Sequence, residues 1–450
     1  MSARQRGWRA ACFAWLGAWL AALVGVAQAA PAIEHWTRPD GARVYLVHTD
    51  AVPMLDVRLE FDGGSRRDPA AQAGLAAATA LMLGKGTLPW GQAPARDEEA
   101  LADAWADLGA QWSATATLDR FSIALRTLTR PDVLQPAVAL LAQQLAAPAF
   151  DDAIWQRERQ RLVAAWQQAQ TQPDTRAQRL YADAVYRGHP YGREATPQTW
   201  AAIDGAAMRA FWQRHARACD ARLTLVGALP RPQADALADT LLAGLTAHGC
   251  APLPPVPEVE PLAQATQVRE PFAGAAQAQI LIGQPGVARR DPDHLALQVA
   301  NHVVGGGGFT SRLMRELRER RGLTYGVYSY LLAGRHAGAW TVGMQTKPEQ
   351  ADQAVALIHD VLQRYTREGP TEQELAEAKR SLVLGHALKL DTNRKIADQV
   401  AALAWNDLPL DELSTWPARV QALTREQVMQ AWRRVIDPQR LVTVVVGAAP

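Results

Sequence analysis

Residues Gly74–Thr87 read GLAAATALMLGKGT. From Leu75 to Leu83 the only polar side chain is Thr79, which predicts a helix over Gly74–Leu83 that is apolar almost all round and therefore buried on every side. The stretch is also chemically blank. It holds no imidazole or carboxylate whose lone pairs could bind a metal, and its alanines cannot move a proton near neutral pH.

The segments flanking this helix recur later in the chain. FDGGSRRDP at Phe61–Pro69 precedes it, and GQPGVARRDP stands at Gly283–Pro292. Each is followed by an apolar segment ending in glycines, Gly84 and Gly86 in one case and Gly305–Gly308 in the other. Alternating apolar and polar stretches come next, Gln111–Thr127 and Tyr325–Thr346, and alternation predicts strand. AVALL at Ala137–Leu141 returns as AVALI at Ala354–Ile358, and each half closes on a short apolar strand, Leu223–Ala228 and Val442–Ala448. Ala137 recurs at Ala354 and Asp68 at Asp291, offsets of 217 and 223 residues. Ordered landmarks at a nearly constant offset mark an internal duplication. The expected fold class is α+β, two homologous domains, each an antiparallel-rich sheet packed with several helices. In the first half, strands are expected at Arg43–His48 and Leu55–Phe61. Helices are expected at Ala70–Leu83, Glu98–Leu108, Pro131–Leu145, Asp152–Gln170, Arg176–Tyr186 and Gln198–His215.

Residues 1–29 read as a secretory signal peptide: Arg4, Arg6 and Arg9, an apolar run Ala10–Val26, then Ala27-Gln28-Ala29 as cleavage site. The run is short for a membrane span, and nothing after it reads as a second one. The domains are expected at 30–249 and 271–450, with 250–270 as a linker in which Pro252, Pro254, Pro255, Pro257 and Pro261 disfavour helix and central strand alike. The formal charge of +2 falls to about −1 without the three leader arginines, and no basic stripe points to nucleic acid. The address is the periplasm, with secretion as the lesser alternative. An oxidising compartment permits a Cys219–Cys250 disulfide, and two unpaired thiols fit the sequence equally.

With these flanks, Gly74–Thr87 resembles the zinc-binding helix of the pitrilysin-type (inverzincin) metallopeptidases, G-L-A-H-x-x-E-H-M-L-x-K-G-T. In that register the two metal histidines fall on Ala77 and Leu81 and the general-base glutamate on Ala80. Glu158–Ala165, ERQRLVAA, resembles the family's E-R-x-x-[VIL]-x-x-E segment, whose last glutamate is the third metal ligand; here it is Ala165. Gly188–Gly192, GHPYG, resembles a family turn, although a plain Pro/Gly loop explains it as well. No replacement site is visible. None of the ten histidines makes H-x-x-E-H or H-E-x-x-H, and no G-x-S-x-G elbow occurs.

The second half keeps more. Gly305–Tyr325 reads GGGGFTSRLMRELRERRGLTY and resembles the family's R-x-x-x-x-L-[GT]-Y segment, in which an arginine and a tyrosine reach the substrate. These fall on Arg318 and Tyr325. The glycines Gly305, Gly306, Gly307 and Gly308 border the cleft in the family; by themselves they read as a flexible joint or an anion cradle. If Ser311–Arg321 is a helix ended by Gly322, its charges pair as Arg312–Glu316, Arg315–Glu319 and Glu316–Arg320, leaving Arg318 with no acid on its own helix.

The resemblance implies a non-catalytic, substrate-holding subunit of a heterodimeric peptidase, inactive alone. It implies zinc on a homologous partner chain, none bound here, and a peptide as substrate. The rival reading is a scaffold or peptide-binding protein of the same fold with no part in proteolysis.

Overall fold

The computed structural model describes residues 31–247 and 250–447. The signal-peptide assignment at 1–29 lies outside them. Eleven strands form two sheets among the described residues. The strands of the first are β1 (Glu34–Thr37), β2 (Arg43–His48), β3 (Met54–Phe61), β4 (Gln111–Ala116), β5 (Phe121–Leu128) and β6 (Arg222–Gly227). Those of the second are β7 (Thr266–Glu270), β8 (Ala278–Pro285), β9 (Val327–Leu331), β10 (Ala339–Thr346) and β11 (Val442–Val446).

The first sheet has the order β1-β2-β6-β3-β5-β4 and the second β7-β11-β8-β10-β9. Apart from β1, the second repeats the first strand for strand. Each has one parallel pair, β2 with β6 and β7 with β11, and the other neighbours run antiparallel. The duplicated landmarks thus map onto a duplicated topology, and the α+β class holds. Position in the sheet accounts for the residue patterns. β6 lies between β2 and β3 and is buried along its whole length, so Leu223–Val226 shows little alternation. At the edge, β4 alternates exposed Gln111, Ser113 and Thr115 with half-buried Trp112, Ala114 and Ala116.

Helices do not stay with the half that encodes them. Asn393–Trp405, from the second half, packs on β6, β3 and β2, while Pro173–Tyr186, from the first, packs on β8 and β11. Its Tyr181 hydroxyl bonds the Thr341 hydroxyl at 2.8 Å. Tyr186 Oη accepts from the Ala339 N–H at 3.0 Å. Two acidic hubs add to this interlock. Asp119 pairs with Arg66 (2.9 Å), accepts the Tyr191 hydroxyl (2.6 Å) and accepts the Arg335 N–H (2.9 Å). Asp407 takes Arg43 at 2.7 Å and Arg335 at 3.3 Å.

The proline-rich stretch ends earlier than 270, because Thr266–Glu270 is β7 and pairs with β11. Its first part is strapped down. Proline has no N–H to offer, so the carbonyls carry the polar burden, and first-half donors meet them: Arg217 on Ala251 O (2.9 Å), Arg67 on Pro254 O, His189 on Pro257 O (2.8 Å) and Arg187 on Pro261 O (2.7 Å). Cys219 and Cys250 form a disulfide at the start of this strap.

Three local expectations change. The segment expected as helix from Ala70 is a 3-10 turn, Ala70–Gln72, followed by the helix Leu75–Met82, because Gly74 breaks the run at φ 99°. The segment Gln198–His215 is two helices, Pro197–Ala201 and Gly205–His215, the second N-capped by Asp204. The arginine-rich helix carries a π-wound turn at Met314–Glu319, which shifts its neighbours. Glu316–Arg320 forms as expected, but Arg312 and Arg315 go to Glu374.

Candidate functional site

The helix Leu75–Met82 is held at its N-terminus by Asp68. The Gly74 N–H donates to Asp68 Oδ2 (2.8 Å) and the Ala76 N–H to Oδ1 (3.0 Å). Burial pushes the Asp68 carboxyl up to about 6, against the pull of those amides. The sequence signal for this anchor is the acid seven residues before the helix, in the FDGGSRRDP landmark, which by itself marks only the repeat.

The helix is not buried on every side, as its composition implies. Leu75, Ala76, Ala78, Thr79, Ala80 and Met82 are buried. Ala77 is exposed and Leu81 half-buried. These two are four residues apart, one above the other on the helix, so they form an uncovered stripe. Ala80 points into the core at 5 % exposure. On Asp152–Ala169, Ala165 is exposed and lines a groove of about 950 Å³ together with Trp166, Arg179, Glu194 and Trp200. The groove's wall is tied together: Glu194 accepts the Trp166 indole N–H (3.0 Å) and pairs with Arg179 (2.6 Å), whose guanidinium stacks on Trp166.

The metal and base positions are therefore empty as chemistry. Ala77, Ala80, Leu81 and Ala165 carry no lone pair, and these residues do not fit a zinc ion. Glu158, the acid of that helix nearest in the motif, is consumed by Arg157 (2.8 Å), Arg161 (3.0 Å) and Lys85 (3.4 Å). Burial raises its carboxyl, but the three cations outweigh that and hold it below the usual range. Among the described residues no group of three His, Cys, Asp or Glu side chains could hold a metal ion. The GHPYG turn is a joint. His189 Nδ1 accepts from the Tyr191 N–H (3.1 Å) while its Nε2–H donates to Pro257 O, and Tyr191 reaches Asp119.

In the second half, the glycine run is neither a loose joint nor a free anion cradle. Gly305 and Gly306 belong to a π-turn, His302–Gly306. A Cβ on Gly305 would meet Ser329 Oγ at 2.6 Å, one on Gly306 Asn301 Nδ2 at 2.7 Å, and one on Gly307 His302 O at 2.7 Å. Close packing thus demands these three glycines. Gly308 has open space but takes φ 60°, the left-handed region. The turn delivers Phe309 into solvent, 62 % exposed.

Arg318 lies beside that ring, its guanidinium carbon 4.5 Å from the Phe309 centroid. Sequence reasoning missed this contact: an exposed phenylalanine after four glycines is its only trace in the chain. Tyr325 is 91 % exposed, beyond Gly322, whose φ of 63° ends the helix. Tyr325 thus stands in solvent, and Arg318, half-buried, has no acid partner among the described residues while the other arginines of the segment are matched.

Comparison with known proteins agrees with this fold. Residues 43–197 match the family model described as Insulinase (Peptidase family M16), and 202–382 match the Peptidase M16 inactive domain. A solved peptidase M16 inactive domain from Pseudomonas fluorescens is 31% identical, with a TM-score of 0.86, covering 93% of this chain and 98% of that one. The periplasmic protease PqqL from Escherichia coli shares the fold at 18% identity and a TM-score of 0.78, over 94% of this chain and 46% of PqqL. An uncharacterised zinc protease of Streptomyces coelicolor is 30% identical over 172 residues, a match spanning 38% of this chain and only 37% of that relative. No helix among the described residues is long and apolar enough to cross a membrane. The chain belongs to peptidase family M16, with a second half that matches the family's inactive domain and a first half without the H-x-x-E-H motif.

Proposed function

We propose that this chain is the non-catalytic, substrate-holding subunit of a heterodimeric periplasmic zinc peptidase and contributes Arg318 and Tyr325 to its partner's active site. The supporting observation is an asymmetry. Four metal and base positions hold only alanine or leucine, whereas the other half keeps both residues of its motif, Tyr325 at 91 % exposure and Arg318 half-buried with no acid partner among the described residues. The zinc belongs to the homologous partner chain. Arg318 would hold a peptide acyl oxygen or carboxylate with paired donors, and the Tyr325 phenol would donate to the oxyanion that develops on the scissile carbonyl. The leader at 1–29 and the likeness to a periplasmic protease support the compartment.

The test is a quenched-fluorescent peptide assay on the chain alone and with its zinc-bearing homologue. The chain alone should be inert and the mixture active. Tyr325→Phe should lower kcat of the mixture about 100-fold, the usual cost of one oxyanion donor. Full activity with both Arg318→Ala and Tyr325→Phe overturns the proposal and leaves the scaffold reading.

A further inference from the structure

The arginines around the π-wound turn divide into two kinds. Arg312 and Arg315 both pair with Glu374, at 2.6 Å for the first and 2.5 Å for the second. Arg320 and Arg321 pair with Glu316 at 2.6 and 2.7 Å, and Arg364 pairs with Asp360 at 3.0 Å. Arg318 has no salt-bridge partner among the described residues. In place of an acid it has an aromatic face, the Phe309 ring at 4.5 Å.

That substitution has a geometric meaning. A ring stacked on a guanidinium occupies its face and leaves the edge, where all five N–H donors lie in one plane. The ring is held in solvent, which no packing demand explains, and it is carried there by a glycine run whose Cβ positions are filled by Ser329, Asn301 and His302. The ring thereby restricts the Arg318 head group before any ligand arrives. A single carbonyl oxygen takes one donor and gains little from a fixed plane. A carboxylate takes two parallel donors and gains both charge and orientation.

We propose that Arg318 stacked on Phe309 is a carboxylate-reading subsite, with Phe309 as its positioning residue. The inference rests on Arg318 facing the peptide, as in the proposed function, and narrows the substrate to peptides that place a carboxylate there. The carboxylate has two sources, a free C-terminus or an Asp/Glu side chain.

The test needs no partner chain. Fluorescence anisotropy of the isolated protein is measured with three labelled decapeptides: a free C-terminal acid, its C-terminal amide, and the amide with one internal glutamate. The free acid or the glutamate peptide should bind about 10-fold more tightly than the plain amide, the scale of one charge-assisted pair; which of the two does so identifies the source. Arg318→Ala should abolish the difference. Phe309→Ala should reduce it several-fold and Phe309→Trp should restore it, a rescue that loss of structure would not give. Phe309 is exposed, so the variants should melt with the parent protein. Equal binding of all three peptides, no binding at millimolar peptide, or a Phe309→Ala variant that keeps the full discrimination overturns the subsite. Failure of the heterodimer reading shows separately, in the peptidase assay of the mixture.

Discussion

Acidification from pH 7 to pH 5 should weaken the fold, chiefly through two buried histidines. His215 donates from Nδ1 to Asp62 O at 2.8 Å, and burial holds its pKa down at about 4. His294 accepts on Nδ1 from Arg289 at 3.2 Å, and burial, aided by that guanidinium, holds it at about 3. Unfolded, each returns to 6.5. Between these values the unfolded chain binds protons that the native protein refuses, so stability is lost as pH falls through 6.5 toward the folded pKa. At about 1.4 kcal/mol per pH unit, each histidine costs about 2 kcal/mol at pH 5. Asp68 works in the opposite sense. Its folded pKa of about 6 exceeds its unfolded 3.8, so acidification favours the native state by about 1 kcal/mol over the same interval. Glu60, raised by burial, also opposes. Burial lowers His35, His189, His302 and His359, and these add to the loss. The net expectation from His215, His294 and Asp68 is a loss of about 2–3 kcal/mol. Urea unfolding followed by tryptophan fluorescence at the two pH values reads it. The His215→Gln/His294→Gln protein should show little or reversed pH dependence whatever its own stability. A parent midpoint that is unchanged or higher at pH 5 refutes the reasoning.

Two other perturbations test the frame. Asp68→Ala removes the acceptor for the Gly74 and Ala76 amides and should cost about 1–2 kcal/mol, the scale of a lost N-terminal cap; hydrogen exchange should show the loss concentrated in Leu75–Met82. Reducing the Cys219–Cys250 bridge, which spans 31 residues, should lower the urea-derived stability by about 3–4 kcal/mol if it acts through chain entropy, and a Cys219→Ser/Cys250→Ser protein should match the reduced one.

The sequence was most legible where a local pattern had a single reading. The alternation in Gln111–Thr127 became the hairpin of β4 and β5, and the apolar Leu223–Val226 became the central strand its composition requires. The recurrence of RRDP and AVAL anticipated two sheets with the same strand order. Partners distant in sequence were not legible. That Ala77 lies open depends on what faces the helix, and composition reports only that no polar group is present. Arg312 and Arg315 look matched to Glu316 and Glu319 by α-helical spacing, but a π-turn moves the register and Glu374 supplies a stronger acceptor. There, burial is outweighed by the hydrogen bonds and charges of its arginines and by the Thr371 N–H, and the carboxyl falls to about 2. Phe309 carried no periodic signal at all, because its role comes from one contact across a glycine turn.

The loss of metal chemistry and the preservation of shape have a common explanation in how the halves interlock. A helix from each half lies on the other's sheet, the proline strap is clamped by four first-half donors, and Asp119 and Asp407 each bind residues of both halves. The Leu75–Met82 helix packs between Asp68, Trp200 and the first core, so it stays necessary to the fold after its ligands are gone. At Ala80 a small apolar side chain is what the helix needs once no metal is held, since an unpaired histidine or glutamate there would bury an uncompensated polar group. Loss of the catalytic residues therefore costs the fold little, whereas loss of the helix would expose the core and loosen the platform. On the proposed function, the presentation of Arg318 and Tyr325 at fixed positions depends on that platform, because a binding group misplaced by about 1 Å forfeits much of its effect.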